Sequence, residues 1–259
     1  MKEYKLAARI PVILLGVPLS TSENPFLAVP TRKASASFKF EKCNPTSISV
    51  NGVPESVGNL VKSFVKNLDE ISKNICVEVD ARLNGSNSPA GTYALLTTLL
   101  MYAIAKYYGE SLDSWEIIEL ARYADPFDKP SGWSYVIDAL RYSVITGTPA
   151  VYRNDEEFAK IDVKRTADTI FKGVVEAKSQ FLLRDNLGGD VYNALVHLVG
   201  VLVLEGTVRI RENESLAAIV DTLGRLQNSI ITSTWRIEYP PPNCLLEPGL
   251  PGEFEIHCW

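Results

Sequence analysis

Histidine and cysteine are scarce in this 259-residue chain, which has only His197 and His257, and only Cys43, Cys76, Cys244 and Cys258. No two cysteines have the close spacing of a zinc knuckle or a redox motif, which removes zinc and thiol-disulfide chemistry from the leading readings. The cysteines read as core or edge thiols, and His197, set in an apolar segment, as a satisfied core residue. A basic excess is also missing: 26 Lys and Arg stand against 31 Asp and Glu, net −5, so no broad positive field favours nucleic acid or an anionic membrane. No apolar run is long enough to span a bilayer. The longest, Val191 to Leu204, is interrupted by Asn193 and His197 and reads as a buried helix. The first residues lack a signal-peptide pattern, so a cytoplasmic protein is expected. Internal repeats, linkers and low-complexity runs are lacking.

What is present is an ordinary globular composition, 46% hydrophobic and 22% charged, enough for a large core. Ile10 to Leu15, Ala34 to Phe40, Ser47 to Val50 and Ile75 to Asp80 read as strands, with Asn44-Pro45-Thr46 as a turn. Apolar residues from Val57 to Ile71 recur at helical spacing. Asn84 to Gly91 is a loop of small residues that opens a helix from about Thr92 to Tyr108, apolar on most faces and ended by Gly109. Asp113 and Glu116 suit a capping box for a helix through Ala124, before Pro126 and a turn-rich stretch to Gly132. Val144 to Arg153 reads as a bent strand; Thr166 to Leu183, Gly189 to Leu204 and Ser215 to Gln227 read as helices; Ile231 to Tyr239 and Phe254 to Cys258 read as strands around a proline-rich stretch.

A loop of small residues at a helix N-terminus is a ready anion site, because unpaired amides point outward and the helix dipole favours negative charge. Ser88, Gly91 and Thr92 are the candidate ligands, with the Thr92 hydroxyl placed to meet a phosphate or its metal. The same loop chemistry also serves simple turn geometry.

Three segments, in order, resemble the motifs of the GHMP small-molecule kinases, most closely the mevalonate kinase branch. Ala8 to Val29 lies along that branch's opening APGKVILFGEH and the Pro-Ala-Leu-Ala-Val that follows, matching at Gly16, Pro25, Leu27, Ala28 and Val29. Pro89 to Ala94, PAGTYA, sits where the family has its GLGSSA phosphate loop. Lys129-Pro130-Ser131-Gly132 matches KPSG of a KPSG-x-D motif. The resemblance implies an α+β, two-lobed fold: an N-terminal half like ribosomal protein S5 over residues 1–150, and a ferredoxin-like C-terminal half over 151–259, forming one compact unit. It also implies ATP with Mg, and a cleft between the halves for a nucleotide or small molecule.

The chemistry departs from that pattern. Pro11 stands at the opening lysine, Val17-Pro18 at the Glu-His pair, Pro89 at a phosphate-loop glycine, Tyr93 at its second serine, and Ser134 at the aspartate that acts as the family's base. The family's third glycine-rich motif has no counterpart. Phosphoryl transfer needs cations, a metal and a group orienting the attacking hydroxyl, so the expectation is a pseudoenzyme acting by binding. A protein-partner surface is expected at the C-terminal Pro/aromatic tail of Trp235, Tyr239, Phe254 and Trp259. The alternative is an active ATP-dependent kinase with a relocated site: Asp138 as catalytic residue, Asp125 and Asp128 as metal ligands, and Arg32 or Lys33 as the missing cation.

Overall fold

The computed structural model describes residues 1–19, 24–45, 47–68, 74–85, 87–127, 132–153, 157–177 and 188–259. Two long strands, β1 (Lys2–Leu15) and β2 (Phe26–Lys42), form an antiparallel ribbon whose register runs from Lys2 opposite Phe40 to Leu15 opposite Leu27. Pro11 and Pro30 face each other in this ladder, and the register shifts between Arg9 and Pro11, as expected where neither residue can donate an amide. Gly16 turns the chain out of β1 at φ +127°, and a Cβ there would stand 2.5 Å from the Phe26 ring, so only glycine fits.

β3 (Ile48–Asn51) and β4 (Ile75–Arg82) are parallel and joined through helix α1 (Glu55–Asn67). β4 pairs with the far end of β2, residues 35–42, while β5 (Ala150–Arg153) pairs with its near end, residues 26–28, and β6 (Glu157–Lys160) completes the sheet beside β5. Helices α2 (Pro89–Tyr108), α3 (Ser114–Ala124) and α4 (Gly132–Thr146) pack on this half. The low polarity of α2 is explained by burial from Ala90 through Met101. The Asp113–Glu116 capping box forms as the sequence indicates.

The C-terminal half has a three-stranded antiparallel sheet in the order β7 (Ile170–Glu176), β9 (Glu253–Cys258), β8 (Cys244–Pro248). Helix α5 (Gly189–Arg211) follows β7, and then come α6 (Leu216–Ile219), a π-helical turn over Val220–Gly224 and α7 (Arg225–Trp235). Tyr192, Trp235, Leu246 and Phe254 join the N-terminal half's residues in one continuous core.

Several expectations are corrected. Thr166 to Leu183, read as helix, contains strand β7, whose side chains alternate between exposed and half-buried along an outer strand of the sheet. Ile231 to Tyr239, read as strand from its β-branched residues, is helix as far as Trp235. Burial of Ile230, Ile231 and Trp235 outweighs local preference there. Val144 to Arg153 divides: α4 continues to Thr146, Gly147 takes φ +66°, and β5 starts at Ala150. The Val57 to Ile71 helix ends at Asn67, with 69–73 outside the described residues. Finally, all four cysteines are paired, Cys43 with Cys76 and Cys244 with Cys258, the second pair directly opposed on β8 and β9.

Candidate active site

The three residues singled out for anion binding do come together at the start of α2. Ser88 is the N-cap, and its Oγ accepts from the Gly91 amide at 2.7 Å. Pro89 occupies the first helical position and has no amide to offer. The Thr92 amide makes the first intrahelical bond to the Ser88 carbonyl at 2.9 Å. One donor of the first turn remains, the Ala90 amide, and it is taken by the Glu255 carboxylate, Oε1 at 2.8 Å. No amide from Pro89 to Thr92 is left for an incoming ligand. The turn is also closed sterically, because a Cβ at Gly91 would stand 2.1 Å from the Pro11 carbonyl oxygen. Ser88, Gly91 and Thr92 are all buried.

Glu255 belongs to a buried acid–imidazole–acid group carried by the β8–β9 pair. Glu247 lies opposite Glu255 in the ladder. Two residues beyond Glu255, on the same face of β9, His257 places Nε2 3.0 Å from Glu255 Oε2 and 3.6 Å from Glu247 Oε2. Its Nδ1 lies 3.2 Å from Thr169 Oγ1. All three ionisable residues are at most 2% exposed. Burial opposes the positive charge on His257, yet Glu247 and Glu255 outweigh it and hold its pKa above the usual value. Glu247 has no hydrogen bond to either oxygen, and burial pushes its pKa up to about 8. Burial favours the neutral form of Glu247 near neutral pH, while the Glu255 carboxyl group lies between the His257 ring and the positive end of the α2 dipole. A phosphate would bind this helix end by the same physics.

A second buried polar group surrounds Asp138. The Arg141 guanidinium donates to both oxygens of Asp125, at 2.5 and 2.8 Å, and to Thr97 Oγ1 at 3.2 Å. It also lies 3.4 Å from Asp138 Oδ1. Arg122 Nε donates to Asp138 Oδ2 at 2.7 Å and Arg122 Nη2 to the Tyr152 hydroxyl at 2.7 Å. Tyr93, at the position of the phosphate-loop serine, donates its hydroxyl to Asp125 at 2.8 Å. Two cations thus match two carboxylates. Asp138 and Arg141 are 0% exposed; burial raises the Asp138 pKa to about 6, with Arg122 and Arg141 pulling the other way. Neither Asp125 nor Asp138 faces open space, and among the described residues no group of three or more His, Cys, Asp or Glu could hold a metal ion. Asp128, the Lys129-Pro130-Ser131 stretch and the Ser134 side chain lie outside the described residues. Of the expected cations, Lys33 is exposed, whereas Arg32 lies against Gly85 in the loop before α2, where an added Cβ would come within 2.6 Å of its Nη1.

The C-terminal aromatic set separates. Trp235 and Phe254 are core residues with ring centroids 5.0 Å apart. Tyr239 is exposed and, with Pro240, Pro241, Pro242, Arg225 and Trp259, lines a groove of about 570 Å³ beside the π-helical turn. The reading of His197 as a core residue is overturned: it is exposed, whereas His257 is buried and partnered. Sequence reasoning missed Glu255 and Glu247. The only available signal was a Glu-x-His alternation in the last strand, which places both side chains on one face but says nothing of a helix 165 residues away.

The sequence matches no protein-family model and no curated protein. Similarity appears in the fold. Mevalonate kinase from methicillin-resistant Staphylococcus aureus superposes with a TM-score of 0.55 at 17% identity, over 100% of this chain and 90% of that one. Mevalonate diphosphate decarboxylase from Staphylococcus aureus gives 0.63 at 13% identity, over 99% and 88%. Streptococcus pneumoniae phosphomevalonate kinase gives 0.56 at 8% identity, over 100% and 92%. These proteins belong to the GHMP superfamily, and the chain has the GHMP-kinase fold from its first strand to its last.

Proposed function

We propose that this protein is a GHMP-fold pseudoenzyme, acting through binding rather than phosphoryl transfer. The observation that carries the reading is the Glu255 carboxylate on the Ala90 amide: the anion that the helix end attracts is supplied from within the chain. The replacements at Pro11, Val17, Pro18 and Pro89 are consistent with it, since they remove a cation, a carboxylate and an amide that phosphates or acceptor would use. The exposed groove at Tyr239 and Pro240–Pro242 is the binding face this reading favours, for a protein partner rather than nucleic acid. A cytoplasmic location goes with the reading. The two disulfides then call for a cell interior in which they persist; thiol counting on protein alkylated at lysis would read no free thiol if so, and four if not.

The alternative, an ATP- and Mg-dependent small-molecule kinase working through Asp138, draws support from Arg32 beside the α2 loop and from neighbours of this fold such as the Enterococcus faecalis mevalonate diphosphate decarboxylase, described with an ATP binding mechanism. The complete burial of Asp138 between two arginines counts against it.

Calorimetric titration with ATP and Mg separates the two. The wild type should give no saturable heat at millimolar nucleotide. Glu255→Ala, verified as folded by its circular dichroism and melting transition, should gain measurable inorganic phosphate binding as the helix end is vacated, and still none for ATP. Micromolar ATP binding by the wild type, with turnover abolished in Asp138→Asn, would overturn the proposal.

A further inference from the structure

Helix α5 presents a face that the described residues leave uncovered. From Val191 to Leu204 it carries no Asp, Glu, Lys or Arg, and its mean hydropathy over the most apolar window is 1.6, yet only 28% of that window is buried. Its inner face, Tyr192, Val199, Leu202, Val203, Gly206 and Ile210, is buried within the protomer; a Cβ at Gly206 would stand 2.4 Å from Leu15. The opposite face leaves Val191 53%, Val201 50% and Leu204 64% exposed. An uncharged stretch of helix that leaves large aliphatic side chains in solvent is suited to being covered.

The sequence of that face points to what covers it. Ala194, His197, Val201, Leu204 and Val208 follow alternating steps of three and four, the seam spacing of paired helices. Midway along the helix, Gly200 has nothing within 4 Å of where a Cβ would be, leaving room for close approach of a second helix. The two ends carry opposite charge on the same line of the helix: Asp190 at the start and Arg211 at the end, both exposed and in step with His197 and Leu204 every seven residues. The midpoint between them falls at Gly200–Val201. An antiparallel copy placed about a two-fold axis there brings Asp190 beside Arg211 of the partner subunit twice over, with the uncharged stretch between. That self-complementarity is what an isologous contact requires.

We propose that α5 is a homodimer interface, pairing antiparallel with α5 of a second copy about a two-fold axis near Gly200. At a rise of about 1.5 Å per residue the seam is roughly 30 Å long. One helix width of contact is below the ~500 Å² per subunit of the smallest specific interfaces. The adjoining groove supplies the rest: about 590 Å³, bounded by Val196, Val203 and Leu204 on α5 and by Pro25, Val151 and Ala159 on the sheet side. The dimer is accordingly reversible.

Sedimentation velocity of the full chain, from low micromolar to several hundred micromolar, is the test. The wild type should shift from monomer to dimer with concentration. Leu204→Glu, at an exposed position that leaves the fold intact, should stay monomeric throughout. Asp190→Arg and Arg211→Asp should each weaken the dimer at least tenfold, and the double exchange should restore most of it. A wild type that stays monomeric, a dimer indifferent to Leu204→Glu, or a double exchange without recovery would each overturn the proposal. So would a monomer that co-floats with vesicles of phosphatidylcholine and phosphatidylglycerol, which would assign the face to a lipid surface instead.

Discussion

Arg141→Met should destabilise the protein by about 3–5 kcal/mol, because it leaves Asp125 buried without its guanidinium partner, while Asp138 keeps only Arg122. The loss comes from stranded charge rather than from volume: methionine fills much of the space, and the Phe64 and Tyr93 rings on the guanidinium, each 5.9 Å from it, still pack against an apolar chain. Urea denaturation at neutral pH measures the loss as a lower midpoint with an unchanged slope. The interpretation has a strict control. Adding Asp125→Leu to Arg141→Met removes the stranded carboxylate while Asp138 keeps Arg122, and the double variant should recover much of the lost stability, as buried ion pairs replaced by apolar side chains of similar size do. If the single substitution is nearly neutral, or the double is worse than the single, the network is not the stabilising unit described above.

Wild-type stability should fall as pH rises from about 5 to about 8, and Glu247→Gln should remove most of that fall. Burial raises the Glu247 pKa from 4.5 to about 8, so between those values the folded state keeps a proton that the unfolded chain has released. A raised folded pKa gives stability that is fully present below the unfolded value and lost as pH passes through the folded one. The full shift corresponds to a loss on the order of 5 kcal/mol. His257, also raised, acts in the same direction, and Asp138, raised from 3.8 to about 6, adds a smaller loss at lower pH. Glutamine at 247 reproduces the neutral side chain and cannot release a proton. Urea midpoints at pH 5 and pH 8.5 for both proteins decide the matter: equal wild-type midpoints, or equal slopes in the two proteins, would remove Glu247 as the cause.

The fold was legible where pattern and packing agree. The α1 periodicity, the Asp113–Glu116 box and the Gly109 stop all act within a few residues, and the structure uses each of them. It was illegible where tertiary contacts decide. Ile230 to Trp235 has the composition of a strand, but becomes helix because Trp235 must meet Phe254. Residues 170–176 become strand because β9 offers a partner at Glu253–Cys258. The cysteine pairs depend on strand register, which spacing alone does not reveal. At the site, the sequence located the α2 loop, while the reason that its first turn is filled lies in Glu255, a carboxyl group of strand β9 with nothing local to mark it.

The Ala90–Glu255 bond also has a meaning in the order of synthesis. The two residues lie 165 positions apart, so at ordinary translation rates of roughly 5–20 residues per second the first turn of α2 emerges many seconds before the strand that caps it. During that interval the Ala90 amide is without the carboxylate that accepts from it in the folded protein. Arrival of β9 closes that end and, in the same step, joins the half of the molecule made last to the half made first.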